Sequence, residues 1–192
     1  MKKKISPKIG PLGALLVLCI AVVEIIGARG TDSIAATSNS AVNAATAEVM
    51  GVYFTPPAGA AQAIVRTIDA SEREVLVQAY GFTHNGIAQA LLRAQARGVQ
   101  VRVLLDEKSD NTNRYVLGLF EQAQLTVRRD GRHAIAHNKV MVIDDKIVIT
   151  GSFNFTNAAE TRNAENFLIL KSVELAQAYK AQWEQHWAHG RE

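Results

Sequence analysis

Cysteine is almost absent: Cys19 is the only one in 192 residues, and it lies in the N-terminal apolar run. The chain after residue 47 therefore has no thiol, which excludes disulfides, thiolate metal centres and cysteine nucleophiles there. A surplus of charge is missing from the same region. Lys2, Lys3, Lys4, Lys8 and Arg29, set against Glu24 and Asp32, account for the whole net charge of +3, so residues 48–192 are neutral overall. The positive balance of the chain is thus no sign of a nucleic-acid-binding domain, and any basic groove has to be a local arrangement. There is also no cluster of carboxylates of the kind that two-metal active sites use. The longest apolar stretch, Pro11 to Val23, is interrupted by Glu24 and is short for a spanning helix.

What is present at the N-terminus has the layout of an export signal: lysines, then the apolar stretch, then small residues. Ala45-Thr46-Ala47 fits an A-x-A cleavage pattern, and cleavage nearer Ala28 or Ala35 stays open. Cys19 follows Leu18 rather than a small residue, which argues against lipidation. Residues 29–47, rich in Ala, Ser, Thr and Asn, have the composition of a linker. The expectation is a signal peptide or anchor plus linker over 1–47 and one domain over 48–192. The protein is then periplasmic or secreted, or held at the membrane facing the periplasm if the segment is retained. With 48% apolar residues the domain has enough to build a core.

From Val49 strand-like and helix-like stretches alternate. "VMGVYFT", "EVLVQAYGF" and "VQVRVLLD" have strand character. "AAQAIVRTIDAS", "NGIAQALLRAQARG" and "RYVLGLFEQAQ" have helical spacing, with Ile64 and Ile68 on one face and Ile87 and Leu91 on another. "DEKSDNTNRY" is taken as a loop peculiar to this chain. After Leu125 the strands crowd together: "LTVRR", "KVMVID", "KIVITGS" and "NFLIL", with Asp144-Asp145 as a hairpin turn. The final "SVELAQAYKAQWEQHWAHG" is a helix whose Leu175, Tyr179, Trp183 and Trp187 make a core-facing stripe. This order predicts an α/β class: a mixed β-sheet flanked by helices on both faces, an α/β sandwich.

One constellation is polar where a fold gains nothing from polarity. His137 and Lys139 are two apart, so on a strand they share a face. Asp144 has the opposite parity and sits at the turn, which makes it structural rather than a neighbour of the imidazole. On the returning strand Ser152 and Asn154 are two apart, and Gly151 allows close backbone approach. Glu165 opens the next strand. Arg128, Arg129 and Arg132, just before this region, are candidates for contact with an anionic substrate. His84, His133, His186 and His189 have no partners at ligand spacing, so no metal site and no cofactor is expected.

Taken together these positions spell H-x-K-x4-D-x6-G-S-x-N, from His137 through Lys139, Asp144, Gly151 and Ser152 to Asn154. That string resembles the signature of the phospholipase D superfamily. "GSFNFTNAAETRNAEN", the position of Glu165 and the Trp-containing last helix are similar to the small bacterial endonucleases of that superfamily. The resemblance implies a phospholipase D-like fold and a metal-independent phosphodiesterase with a phosphohistidine intermediate. It implies a nucleophilic His137, with Lys139 holding phosphate oxygens and Asn154 and Ser152 supplying hydrogen bonds. It also implies that Glu165 bonds the second ring nitrogen of His137. Such chemistry wants two histidines, and no second H-x-K is present; a homodimer with a shared site supplies the other. Nucleic acid is the expected substrate. A lipid phosphodiester such as cardiolipin, with membrane contact if the N-terminal segment is retained, is the rival. A non-catalytic nucleic-acid-binding module is the third reading, against which the intact residue set argues.

Overall fold

The computed structural model describes residues 45–192. The expected signal or anchor therefore lies outside the described residues, apart from the last three positions of its linker. Among the described residues no helix is long and apolar enough to cross a membrane.

Seven strands form one sheet in the order β1-β7-β6-β5-β2-β3-β4. They are β1 (Glu48–Thr55), β2 (Glu74–Ala79), β3 (Gln100–Asp106), β4 (Thr126–Asp130), β5 (Lys139–Ile143), β6 (Ile147–Gly151) and β7 (Glu165–Lys171). β2, β3 and β4 run parallel, and the pairs from β2 through β5, β6 and β7 to β1 are antiparallel. The sheet is mixed because the first half of the chain returns through helices and the second half through a hairpin. Those helices are α1 (Ala60–Asp69), α2 (Asn85–Ala96) and α3 (Asp110–Gln122). A short α4 (Asn157–Thr161) and a long α5 (Val173–His189) complete the fold.

Helices cover both faces, as the sequence predicts. Ile64 and Ile68 of α1, Ile87 and Leu91 of α2, and Val116 and Phe120 of α3 pack on Val75, Val77, Val103 and Met141 on one side. On the other, Trp183 and Trp187 of α5 pack on Leu76, Leu104, Val140 and Val148. Every residue of β2 is buried, which is why "EVLVQA" reads as a continuous apolar run rather than an alternation. The predicted stripe on α5 does face this second core. Trp183 is 1% exposed and its indole N–H donates to the Val77 carbonyl at 2.9 Å. Truncating so large a buried side chain costs about 3–5 kcal/mol.

Two local details differ from the sequence reading. "DEKSDNTNRY" is largely helical, a 3-10 turn at Glu107–Ser109 leading into α3. Asn113, fully buried within it, accepts the Phe82 N–H at 2.7 Å and donates to the Tyr80 carbonyl at 2.9 Å, so polar burial rather than apolar spacing fixes this stretch. The single turn α4 was not expected from periodicity; the Thr156 hydroxyl caps it by accepting the Ala159 N–H at 3.1 Å. Asp144 and Asp145 do form the turn the sequence suggests, with φ of 55° and 56°; Lys146 completes it, its N–H donating to the Ile143 carbonyl at 3.1 Å before Ile147 pairs with Ile143.

Candidate active site

The sheet delivers three strand ends to one place. Lys139 begins β5, Gly151 ends β6 and Glu165 begins β7. A cleft of about 380 Å³ opens there, lined by His137, Lys139, Gly151, Ser152, Asn154 and Glu165. Antiparallel register sets this convergence: Val140 faces Thr150, and Gly151 faces Phe167. Any side chain at position 151 would collide with the Asn166 carbonyl, so β6 and β7 can approach this closely only at a glycine.

Within the cleft the roles divide by burial. His137 is exposed and precedes β5, so it does not share a strand with Lys139 as the sequence suggests; the pair is joined differently. The Lys139 ammonium turns back and donates to the His137 carbonyl at 2.6 Å. Lys139 is 7% exposed, and burial holds its pKa below the usual lysine range, an effect that the negative charge of Glu165 opposes. The His137 ring lies 4.8 Å from the Tyr80 ring at a 59° tilt, and the Lys139 ammonium lies 5.5 Å above the same ring. Tyr80, at the end of β2, was missed in the sequence. Its backbone N–H donates to the Asn138 carbonyl at 3.2 Å, tying β2 to the segment that carries His137.

Glu165 does not bond His137 as the resemblance implies. Its two oxygens accept from the Ser152 hydroxyl at 2.6 Å and the Asn163 amide at 3.1 Å, and no Glu165–His137 hydrogen bond occurs among the described residues. The carboxylate is thus anchored on the β6–β7 side, facing the ammonium. The Asn154 carbonyl oxygen accepts weakly from the Gly81 N–H at 3.4 Å. Asp144 is away from the cleft. Its carboxylate takes the backbone N–H groups of Glu72, Arg73 and Glu74, at 2.8 Å for Arg73. Burial alone would raise its pKa, but these three bonds and Lys146 hold it below the ordinary carboxylate value. The motif aspartate therefore pins the hairpin to the start of β2.

The three arginines part company. Arg128 donates to the Trp187 carbonyl at 3.0 Å and stacks 4.7 Å from the Trp187 ring. Arg129 pairs with Asp110 at 3.7 Å while its backbone bonds Arg191. Neither lines the cleft, because both are taken up in fixing α5 and α3. Arg132 is exposed in the loop that leads to His137.

The solitary character expected of the remaining histidines holds for His84, whose ring nitrogen accepts the Ile87 N–H and caps α2. It fails for the other three. His133, His186 and His189 gather around buried Asp130, with ring centroids 4.6–5.7 Å apart. Burial, then repulsion from His133, holds the His186 pKa down. α5 brings His186 and His189 to the loop, a long-range contact with no signature in local spacing.

Comparison with known proteins adds to this geometry. Residues 64–187 match the family model described as "Cardiolipin synthase, PLD-like domain". A protein named phospholipase D from Rickettsia conorii is 48% identical over 130 residues, covering 68% of this chain and 65% of the relative. The match thus spans slightly less than two thirds of that relative's length. A mitochondrial cardiolipin hydrolase from Xenopus tropicalis is 32% identical over 117 residues, 61% of this chain and 56% of the relative. The crystal structure of the phospholipase D family member Nuc from Salmonella typhimurium superposes with a TM-score of 0.72 at 32% identity. It covers 76% of this chain and 97% of that one.

Proposed function

The chain belongs to the phospholipase D superfamily, and from that premise we propose that it hydrolyses phosphodiester bonds in nucleic acid through a histidine shared between two copies. The observation that carries this reading is the lining of the cleft. Apart from Gly151 every residue there is polar: an imidazole, an ammonium, a hydroxyl, an amide and a carboxylate. These side chains suit a phosphate in a polar chain.

In the first step an imidazole nitrogen of His137 attacks phosphorus, forming a P–N bond as the P–O bond to the leaving group breaks. The partner's His137 gives that oxygen its proton. The same imidazole of the partner then takes a proton from water, whose oxygen attacks phosphorus and displaces His137. Lys139 offsets charge on the non-bridging oxygens, with the Asn154 amide directed to the same atoms. Among the described residues the cleft has one carboxylate, Glu165, which is already held by Ser152 and Asn163 and faces Lys139, a poor donor set for a metal.

The single histidine in the cleft calls for a second copy, and the face of β1 supports one. Val49, Val52 and Phe54 are 57%, 52% and 68% exposed. They sit opposite Leu170, Leu168 and Asn166 of β7, so this apolar face borders the strand that carries Glu165. The same face and the names of the relatives favour a second reading, a lipid phosphodiesterase resting β1 on a bilayer.

One experiment separates the two. Purified protein and His137→Ala are incubated in excess EDTA with supercoiled plasmid and, separately, with cardiolipin vesicles. Folding of each EDTA-treated sample is checked by circular dichroism. Nicking that survives EDTA and vanishes in His137→Ala is expected. Release of phosphatidic acid without nicking transfers the assignment to lipid, and loss of nicking in folded EDTA-treated protein overturns the metal-free chemistry.

A further inference from the structure

We infer that Asp130, His133 and His186 form a binding site for a transition-metal ion, Zn²⁺ above all, that clamps the loop leading to His137 onto α5. Asp130 ends β4 and is 1% exposed. Its ligating oxygen, one nitrogen of His133 and one of His186 all lie within 4.8 Å of one another. The Asp130–His133 pair is closest, with Oδ2 2.8 Å from Nδ1, and Oδ1 lies 3.3 Å from Nε2 of His189. Oδ1 also accepts the backbone N–H groups of Arg132 at 3.1 Å and His133 at 3.3 Å, which fixes the carboxylate in place.

A plain ion pair accounts poorly for this arrangement. One carboxylate needs one imidazolium, and three imidazoles surround it. His186 is over-supplied with donors: the amide nitrogens of Gln78 and Gln182 stand 2.7 Å from its two ring nitrogens. A neutral imidazole has one acceptor nitrogen, so the two amides cannot both donate to it. If one amide turns its oxygen to accept the ring N–H, it orients the imidazole, and the other nitrogen, which accepts from the second amide, can ligate by exchanging that bond for a metal. His189 turns its buried Nε2 toward the same carboxylate, 3.3 Å from Oδ1. The group thus gathers three imidazoles around a fixed carboxylate, and binding a metal exchanges the hydrogen bonds of His133 and His186 for ligand bonds with release of protons. Two imidazoles and a carboxylate suit Zn²⁺, and an imidazole-rich set disfavours Mg²⁺ and Ca²⁺.

The position gives the site its consequence. His133 lies in the stretch between β4 and β5 that ends in His137, and His186 is on α5. The stretch is otherwise held by the Asp106 carboxylate, which accepts the Ala136 N–H at 2.8 Å, and by Lys108, whose ammonium donates to the Ala134 carbonyl. A metal bridging Asp130, His133 and His186 cross-links it to the C-terminal helix. It plays no part in the chemistry of the cleft, and the site does not depend on which phosphodiester is cleaved.

The test uses the full chain freed of metal by chelation and then dialysed. Titration with ZnCl₂ by calorimetry is expected to show one equivalent bound and a rise in Tm. Co²⁺ in its place should give the intense visible bands of a tetrahedral site. His133→Ala removes a half-exposed side chain, so the fold survives; it should weaken Zn²⁺ binding by at least roughly 100-fold and abolish the Co²⁺ bands. His186→Ala should do the same, and His137→Ala should bind Zn²⁺ as the unmodified chain does. Binding of less than one equivalent, or His133→Ala titrating like the unmodified chain, overturns the site. Loss of binding in His137→Ala overturns it too, because the metal then sits in the cleft.

Discussion

The Ser152 hydroxyl lies 2.6 Å from Oε2 of Glu165 and at the same time accepts the Asn166 N–H at 3.1 Å. The hydroxyl hydrogen is thereby committed to the carboxylate, and the carboxylate is held at the mouth of the cleft rather than swinging in solvent. Ser152 therefore positions Glu165 instead of acting on substrate itself. Loss of a hydrogen bond to a charged group is worth about 1.5–3 kcal/mol, which corresponds to roughly 10–100-fold in rate. Ser152→Ala should lower kcat by that factor on a chromogenic phosphodiester with KM little changed, and Ser152→Thr should recover most of it. Full activity in Ser152→Ala would show that the position of Glu165 is immaterial.

Much of this site is legible in the chain because its residues flank one hairpin. The spacing from His137 to Asn154 spans β5, a three-residue turn and β6, so local geometry carries the cleft with it. The place of Asp144 at the turn, at the far end of β5 from His137, is enough to separate it from the imidazole. What is not legible comes from distant segments. Tyr80 reaches His137 only because β2 pairs with β5, and Arg128 is claimed by Trp187 only because α5 packs behind β4. Glu165 turns to Ser152 and Asn163, a choice among nearby donors that spacing does not decide. The histidine cluster is the same case: His133 pairs locally with Asp130, but the second and third imidazoles come only from α5.

Lys139 makes a prediction in pH. Burial lowers its pKa from 10.5, and the negative charge of Glu165 pulls it back up. The ammonium is the form that offsets phosphate charge, so activity should fall as pH rises through the lowered value. Glu165→Gln removes the restoring charge and leaves the burial. The alkaline limb of its pH–rate profile should therefore move to lower pH, measured on whatever rate remains. An unmoved limb would mean that some other group titrates there.

Asp144 should matter to stability and only through stability to rate. Its folded pKa lies below the ordinary 3.8, so its contribution is complete above that value and is lost as pH falls through the folded pKa. Asp144→Ala leaves the buried N–H of Glu74 and the part-buried N–H of Arg73 without acceptors, at a cost on the order of 3 kcal/mol near neutral pH. Urea unfolding at pH 7 and again below pH 3 should show the gap narrowing in acid. A variant with unchanged midpoint and no activity would place Asp144 in the chemistry after all.

A shared site has an arithmetic that a self-contained one lacks. If each cleft needs His137 from both copies, a dimer of one intact and one His137→Ala chain is dead. Refolding mixtures of the two at fixed total protein should then give activity that follows the square of the intact fraction, whereas independent sites give a straight line. The surface that brings the copies together can be tested without touching the cleft. Phe54 is 68% exposed, so Phe54→Asp costs the core nothing while placing a charge on the apolar face of β1. It should run as a monomer by light scattering, keep its Tm within a few degrees, and lose activity with the dimer. A fully active Phe54→Asp monomer together with a linear mixing curve would mean that one His137 suffices, and the two-histidine route would have to be abandoned. A quadratic curve with an active Phe54→Asp dimer would instead keep the shared site and move the interface off β1.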